Sequence, residues 1–135
     1  DSLILLLMNL CETLKELLVE SADKSEVCNA INDKKLVSMY YAGDMTLNPG
    51  WRTIEPVAAG LTKLKGNRPG NGVVRAWQID GATDRPRTMP GWRFFRLDRI
   101  RTWTPLLDTF SEARPKFNPT GDKSMYGNPW CITKF

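Results

Sequence analysis

The first twenty residues carry a helical pattern of apolar side chains. Leucines recur there at steps of three and four residues, which places them on one stripe of a helix from residue 2 to about residue 20. Ile4, Leu5 and Met8 fall outside that stripe, so the first two turns are apolar nearly all round. This helix therefore either packs against a partner as well as against its own domain, or lies across its own domain alone.

Beyond a second short helix, which cap and turn residues predict near residues 26 to 31, the pattern becomes that of strands. Four short segments are rich in β-branched and aromatic residues and are bounded by Gly, Pro, Asn or Asp. They read KLVSMYYAG, WRTIEPVAAGLTK, GVVRAWQID and WRFFRLD. The pattern predicts a mainly β fold with an N-terminal helix, an α+β arrangement whose four or five strands make a small antiparallel sheet or barrel.

The chain after residue 110 is dense in Pro, Gly and Asn and carries spaced aromatic residues, namely Phe117, Tyr126, Trp130 and Phe135. This composition predicts an extended C-terminal arm that docks through aromatic anchors, and a disordered tail is the alternative. We therefore expect three parts. They are an N-terminal helical segment at residues 1 to 33, a β domain at residues 34 to 110 and the arm at residues 111 to 135.

The net charge of +4 is unevenly distributed over the 135 residues. Residues 1 to 33 hold two basic and seven acidic side chains, whereas residues 34 to 135 hold 17 basic and eight acidic ones. The positive charge therefore belongs to the predicted β domain and arm. A basic body of this kind favours nucleic acid, a nucleotide or another polyanion as partner, although many basic domains are merely soluble ones.

The sequence lacks the residues that most catalytic sites need. It contains no histidine, which removes Ser-His and Cys-His catalysis and the usual metal-binding sets. Four acidic residues of the β domain, Glu55, Asp80, Asp84 and Asp98, are not spaced as a carboxylate pair or a metal cage. The glycine-rich segment GLTKLKGNRPGNG lacks the Gly-Lys-Ser/Thr of a P-loop and is predicted to be a hairpin loop. We expect a protein that is not an enzyme and has no metal and no cofactor.

Cysteine usage and hydropathy bear on the cellular compartment. Cys11, Cys28 and Cys131 are odd in number and far apart, without a C-x-x-C motif, so neither a disulfide framework nor a zinc site is expected. The apolar run at residues 3 to 8 follows no basic segment, and it is far shorter than the roughly 20 residues that cross a bilayer. We therefore expect a cytoplasmic protein with no membrane partner.

The segment GWRFFRLDRIRTW at residues 91 to 103 holds four arginines, which form either a solvated face or a binding site. Alternation along a strand puts Phe95 and Leu97, followed by Ile100, on the core side. It puts Phe94 and Arg96 on the outer side. An aromatic ring beside a guanidinium is suited to base stacking and phosphate contact, which predicts a ligand-binding platform there.

The sequence leaves two alternatives open for each of two further arginines. Arg93 lies on the core side of its strand, so we expect it to reach a rim or to pair with an acid such as Asp98 or Glu55. In the preceding strand both faces are largely apolar. Arg75 and Trp77 either face outward and extend the platform, or Trp77 lies in the core with Arg75 reaching past it to water.

The order of these segments resembles the WYL domain, which is found in bacterial and phage-associated regulators and in some CRISPR accessory proteins. The resemblance covers about residues 27 to 107. Its most specific piece is R-x-F-R-L-D-R-I at residues 93 to 100, supported by R-x-I-E-P at residues 52 to 56.

The resemblance implies a five-stranded SH3-like or Sm-like barrel with a ligand-sensing role, the usual ligands being nucleic-acid fragments or nucleotides. By position it implies that the ligand-facing residues are Tyr41, Arg52, Arg75, Arg93, Arg96 and Arg99. At residues 72 to 74 the chain has Gly-Val-Val in place of the name-giving Trp-Tyr-Leu, so the pocket aromatic is missing or is supplied by Trp77, Trp92 or Phe94. Residues 1 to 33 are too few and too acidic for a winged helix-turn-helix, so we do not expect operator recognition by this chain alone.

Two functions of different classes follow. The first is a non-catalytic WYL-like regulatory or accessory module that binds single-stranded nucleic acid or a nucleotide through the basic and aromatic face of its barrel. The second is a structural or interaction module of a larger assembly, for example a phage one, which uses the apolar first helix and the aromatic arm. A homodimer, or a larger protein partner bound through the first helix, is compatible with both.

Overall fold

The computed structural model describes residues 2 to 3, 22 to 42 and 48 to 135. Its elements are helix α1 (Lys24–Asn32) and strands β1 (Lys35–Tyr41), β2 (Gly50–Leu64), β3 (Arg68–Gly81), β4 (Gly91–Arg96), β5 (Ile100–Thr109) and β6 (Cys131–Ile132), with short 3-10 helices at Pro86–Thr88 and Leu97–Arg99. The predicted helix over residues 2 to 20 lies outside the described residues, except for residues 2 and 3, which are helical. The second predicted helix is confirmed as α1.

Helix α1 begins where the sequence provides a cap. The Asp23 carboxylate accepts a hydrogen bond from the backbone N–H of Glu26 at 2.8 Å, which satisfies one of the free amides of the first turn. Val27, Ala30 and Ile31 form its buried side, and the helix packs mainly against β2. Because a nine-residue helix is marginal by itself, packing against the sheet is what holds it.

The strands form one antiparallel sheet in the order β4-β3-β2-β1-β5, and β6 pairs with β2. Strand β2 is 15 residues long and pairs with three strands. Its first part pairs with β1 and its middle with β6, and β3 pairs with it along most of its length. The predicted mainly β, antiparallel architecture is confirmed. Within the described residues the path of hydrogen bonds runs from β4 to β5 and does not close, so the predicted barrel is not confirmed.

Buried side chains lie on both sides of the sheet, in two clusters. The main core lies between α1 and the sheet and includes Val27, Ile54 and Phe95. Phe95, Leu97 and Ile100 are all buried, which confirms the core side predicted for the arginine-rich strand. A second cluster on the opposite side brings Val57 and Val73 against Met125 of the C-terminal arm.

The arm at residues 111 to 135 is docked along β2 through backbone hydrogen bonds. Tyr126 donates to the carbonyl of Leu61, Trp130 to that of Ala59 and Thr133 to that of Val57, each at 2.8 Å. The predicted aromatic anchors differ in burial. Phe117 and Trp130 are partly buried against the two clusters, whereas Phe135 is 46% exposed. The arm therefore forms one wall of the molecule, and the alternative of a disordered tail does not describe it.

A disulfide joins Cys28 of α1 to Cys131 of β6, with 5.7 Å between the Cα atoms. The expectation that the cysteines stay unpaired is therefore wrong. The two residues are 103 positions apart, and only the docking of β6 between β2 and α1 brings them together, which no local spacing indicates. No helix among the described residues is long and apolar enough to cross a membrane.

Candidate functional site

Strands β3 and β4 present a row of aromatic and basic side chains on one side of the sheet. Their register places Arg75 opposite Phe94 and Trp77 opposite Trp92. These residues are half-buried, whereas the residues that alternate with them are buried. Of the two orientations open from the sequence, Arg75 and Trp77 therefore take the one shared with Phe94. We call Arg75, Trp77, Trp92, Phe94 and Arg96 the basic–aromatic face.

Arg75 is fixed from two sides. Its guanidinium carbon lies 4.2 Å from the centroid of the Phe94 ring, and its Nη2 forms an ion pair with Asp122 of the arm. Burial of Asp122 acts to raise its pKa, but hydrogen bonds from Ser124 and the charge of Arg75 outweigh that effect, so the pKa lies below its usual value. Asp122 is therefore a carboxylate at neutral pH and neutralises Arg75.

The two tryptophans of the face are also tied to the arm. Trp77 and Trp92 pack edge to face, with ring centroids 5.4 Å apart, and Nε1 of Trp92 donates to the carbonyl of Pro115 at 2.7 Å. Arg114 lies 5.6 Å from the centroid of Trp77 and binds both carboxylate oxygens of the buried Glu55, at 3.1 and 2.7 Å. The hydrogen bond to Glu55 raises the pKa of Arg114. The arm thus lies over the face that the sequence predicts to be an open platform.

Arg96 forms an ion pair with Asp98, two residues further along the chain. Its Nε and Nη2 donate to the two carboxylate oxygens of Asp98, at 3.0 and 2.5 Å. Those hydrogen bonds are the largest cause that lowers the pKa of Asp98. The ring of Phe94 is stacked by Arg75. Of the two alternatives for Arg93, pairing with Asp98 or Glu55 is not found, because these acids bind Arg96 and Arg114.

A small cavity of about 90 Å³ collects the arginines of three strands and one loop. Its lining residues are Arg52, Arg75, Asp84, Arg85, Trp92, Arg93, Phe94 and Phe95. We call it the arginine cavity. Four of the eight side chains are cationic and one is acidic, so the cavity carries an excess of positive charge.

Arg93 is the most constrained member of the arginine cavity. It is 7% exposed, and its Nη2 donates to the carbonyls of Arg85 and Thr88 at 3.0 and 3.1 Å. Its Nε is buried and has no hydrogen-bond partner. Burial lowers the pKa of the Arg93 guanidinium, and the charges of Arg85 and Arg52 lower it further. The fold therefore holds the positive charges of Arg93, Arg85 and Arg52 close to one another in the arginine cavity.

Arg52 enters the same cavity from β2. It is 3% exposed, its guanidinium carbon lies 5.0 Å from the ring centroid of Tyr41 and 5.6 Å from that of Phe95, and its Nη2 donates to the carbonyl of Asn48 at 2.7 Å. The hydroxyl of Tyr41 accepts from the backbone N–H of Arg96 at 3.0 Å. Tyr41 therefore supports the cavity from within the core and is not among its lining residues.

Arg99 lies outside both groups. It is half-buried in the 3-10 helix Leu97–Arg99, where its carbonyl accepts a hydrogen bond from Ala42 at 2.9 Å. Its charge contributes to the lowered pKa of Asp98. Of the predicted site residues, the structure gathers Arg52, Arg75, Trp92, Arg93 and Phe94 at one cavity, and Tyr41, Trp77, Arg96 and Arg99 are not in its lining.

A second, mostly apolar cavity of about 170 Å³ lies between the sheet and the arm. The sheet contributes Val57, Ala58, Arg75 and Trp92, and the arm contributes Lys116, Phe117, Asn118, Gly121 and Asp122. We call it the arm cavity. Arg75 and Trp92 line both cavities, so the two adjoin. Among the described residues, no three His, Cys, Asp or Glu side chains are grouped to hold a metal ion.

Sequence reasoning missed Arg85 and the arm residues. Arg85 lies in a loop whose turn residues do not indicate where the loop folds. Its backbone carbonyl is held by the Arg93 side chain of β4, a contact that no local pattern predicts. For the arm, the aromatic side chain of Phe117 indicates from the sequence that the segment packs against something. Which strands the arm covers is decided by long-range pairing, such as that of Trp92 with Pro115, and has no local signature.

No protein-family model matches the chain, and no curated protein matches it. Among solved structures, the chain is similar to the proteasome accessory factor B/C (PafBC) of Arthrobacter aurescens, with 21% sequence identity and a TM-score of 0.50. The similarity covers 70% of this chain and 13% of the PafBC chain, so the match spans a small part of that protein. It shows a shared fold.

Proposed function

We propose that this chain is a non-catalytic, WYL-like regulatory or accessory module that binds single-stranded nucleic acid or a nucleotide. The observation that carries the proposal is the arginine cavity, in which Arg52 and Arg93 are buried beside Arg75 and Arg85. Gathering cations away from water is unfavourable unless an anion or hydrogen bonds compensate them. Within the chain, Asp122 compensates Arg75 and the carbonyls of Arg85 and Thr88 compensate Arg93, and a phosphate group at this cavity would add an anion to the same cluster.

The residues of the cavity suit a phosphate in particular. Guanidinium groups offer planar pairs of N–H donors that match phosphate oxygens, and their charge does not depend on pH in the physiological range. Arg93 has a buried Nε without a partner, and Arg85 is exposed at the rim. The rings of Trp92 and Phe94 lie beside these cations, which is the combination of charge and stacking surface that single-stranded nucleic acids use.

The proposal changes the roles assigned from the sequence. Arg52 and Arg93 would contact the phosphate, and Trp92 with Phe94 would form the aromatic wall. Arg96 would contribute to the surrounding field only, because its guanidinium is bound by Asp98. Closure of the sheet into an SH3-like or Sm-like barrel and a cytoplasmic location stay predictions; the disulfide is of a kind that persists mainly in oxidising compartments.

The test uses a matched pair of arginines in one loop. Arg85 lines the cavity, whereas Arg87 is equally exposed and does not. The side chain of Arg85 does not hold Arg93, which binds its backbone carbonyl, so Arg85→Ala leaves that hydrogen bond in place. Labelled single-stranded DNA, RNA and a labelled nucleotide would be titrated by fluorescence anisotropy over a salt series.

We expect binding that weakens steeply with salt. Arg85→Ala should lower the affinity roughly three- to tenfold and reduce the salt slope by about 1, while Arg87→Ala should change both much less. Absence of binding at low salt, or equal effects of the two variants, would remove the arginine cavity as the binding site.

A second function, that of a structural or interaction module in a larger assembly, is supported by exposed apolar side chains. Leu107 is 94% exposed on β5, the strand at one end of the sheet, and Trp51 is 55% exposed on β2. Size-exclusion chromatography with light scattering of the whole chain and of Leu107→Ser tests it. An oligomer that Leu107→Ser dissociates would favour assembly, and a monomer in both cases would count against it.

A further inference from the structure

We propose that the arm cavity is a base-binding subsite, so that the two adjoining cavities together hold one nucleotide unit. The inference rests on the proposed function and extends it. The phosphate would lie in the arginine cavity, the base would lie in the arm cavity, and Arg75 with Trp92 would line the boundary between them.

The lining of the arm cavity matches the chemistry of a nucleobase. Val57, Ala58, Trp92 and Phe117 provide apolar and aromatic surface for the faces of a flat ring. Asn118 and Lys116 provide polar groups that suit the edge of a base, which carries both donors and acceptors.

The size of the arm cavity limits the ligand. Its volume of about 170 Å³ is below the range of about 300 to 1,000 Å³ found for drug-sized ligands, so it has room for a single ring system. The neighbouring arginine cavity, at about 90 Å³, has room for a small anionic group. A small anion site next to a small flat-ring site describes a nucleotide better than it describes a bare anion or an extended polymer.

The amide of Asn118 is available for base contact. Its Oδ1 accepts hydrogen bonds from the backbone N–H and the hydroxyl of Thr120, at 3.0 and 2.7 Å, which orients the side chain. The Nδ2 group takes no part in these two bonds and would donate to the base. Because the acceptor side of the amide is used within the arm, Asn118 would recognise a base through an acceptor on the base edge.

The arm half of the subsite is held in position before a ligand arrives. The Trp92–Pro115 hydrogen bond and the Glu55–Arg114 pair fix the arm just before Lys116, and the Arg75–Asp122 pair fixes it just after Gly121. A segment anchored at both ends loses little conformational freedom on binding, which favours affinity.

The experiment separates the base from the phosphate. Isothermal titration calorimetry of the whole chain would compare nucleoside 5′-monophosphates with ribose 5-phosphate, which has the phosphate and no base. We expect at least one monophosphate to bind about tenfold more tightly than ribose 5-phosphate, since stacking on aromatic side chains supplies that much. If all bind equally, the base subsite is overturned while phosphate binding stands. If none binds, the base subsite is overturned as well, and the titration with single-stranded DNA and RNA decides separately whether the proposed function stands.

Two variants test the residues named. Phe117→Leu keeps an apolar side chain in the second cluster but removes the aromatic plane, and it should reduce the advantage of the monophosphate while leaving ribose 5-phosphate affinity unchanged. Asn118→Asp keeps the acceptor for Thr120 and removes the amide donor, so it should change the preference among bases. Circular dichroism melts verify that both variants fold. The assignment would be overturned if both variants fold, bind the monophosphate with the same advantage over ribose 5-phosphate as the original chain, and prefer the same bases.

Discussion

The guanidinium of Arg75 lies on the ring of Phe94, and the same side chain forms part of the wall of both the arginine cavity and the arm cavity. This stacking joins β3 to β4 on the side that the arm covers. Asp122 completes the arrangement by neutralising Arg75 with a carboxylate of the chain itself. A negative group is thus already present beside the cations that would receive an external anion.

Removal of that internal negative charge should strengthen anion binding. In Asp122→Asn the charge of Arg75 is no longer neutralised, and we expect phosphate-containing ligands to bind roughly three- to tenfold more tightly at low salt. Anisotropy titration with the labelled nucleotide measures the change. Asp108→Asn removes the same charge from exposed β5 and is the control; equal gains in both variants would show a general field effect and not a role for Asp122.

Acid should loosen the arm through Asp122. The folded pKa of this carboxyl is lowered relative to the unfolded chain, so its contribution to stability is present above the unfolded value of about 3.9 and is lost as pH falls toward the folded value. Chemical unfolding between pH 6 and pH 2.5 should show this loss below about pH 4. Asp122→Asn should show a smaller loss over the same range, and an identical pH profile would contradict the assignment.

Replacement of Arg93 should destabilise the loop that crosses β4. Arg93→Met keeps much of the side-chain volume but leaves the carbonyls of Arg85 and Thr88 without their donor. We expect the free energy of unfolding to fall by about 2 to 3 kcal/mol, the range for lost hydrogen bonds to a charged group. Urea denaturation measures it, and Arg87→Met, an exposed site in the same loop, should stay within about 0.5 kcal/mol of the unsubstituted chain.

Loss of the disulfide should weaken the docking of the arm. Cys28→Ser, Cys131→Ser and the double variant remove the same bond, so each should lower the free energy of unfolding by about 2 to 5 kcal/mol and the double variant should add little to either single one. Thermal melts with and without reductant provide the measurement. Additive effects of the two single substitutions, or no effect of reductant on the unsubstituted chain, would be evidence against the bond in solution.

Much of the fold could be predicted from local pattern. The alternation in β4 correctly gave Phe95 and Leu97 to the core, and the cap residues before α1 indicated its position. These predictions succeed because they depend on periodicity and on backbone chemistry within a few residues.

The arrangement of the site could be predicted only in part. Arg52, Arg75 and Arg93 could be named as candidates, but the partner of each depends on contacts between distant segments. Asp122 meets Arg75 across 47 positions, and Arg114 meets Glu55 across 59. A sequence pattern indicates that an arginine needs a partner, and only the fold decides which acid supplies it, which is why the sequence left two alternatives open for Arg93.

The arm supplies one wall of the arm cavity, and β2, β3 and β4 supply the other. The two walls are encoded in separate stretches of the chain, so they can change independently. Substitutions among residues 116 to 121 would alter which ring the arm cavity accepts, while the arginines of the strands would continue to receive a phosphate. Ligand preference in such a protein can therefore diverge through its tail, without any change to the sheet that defines its fold.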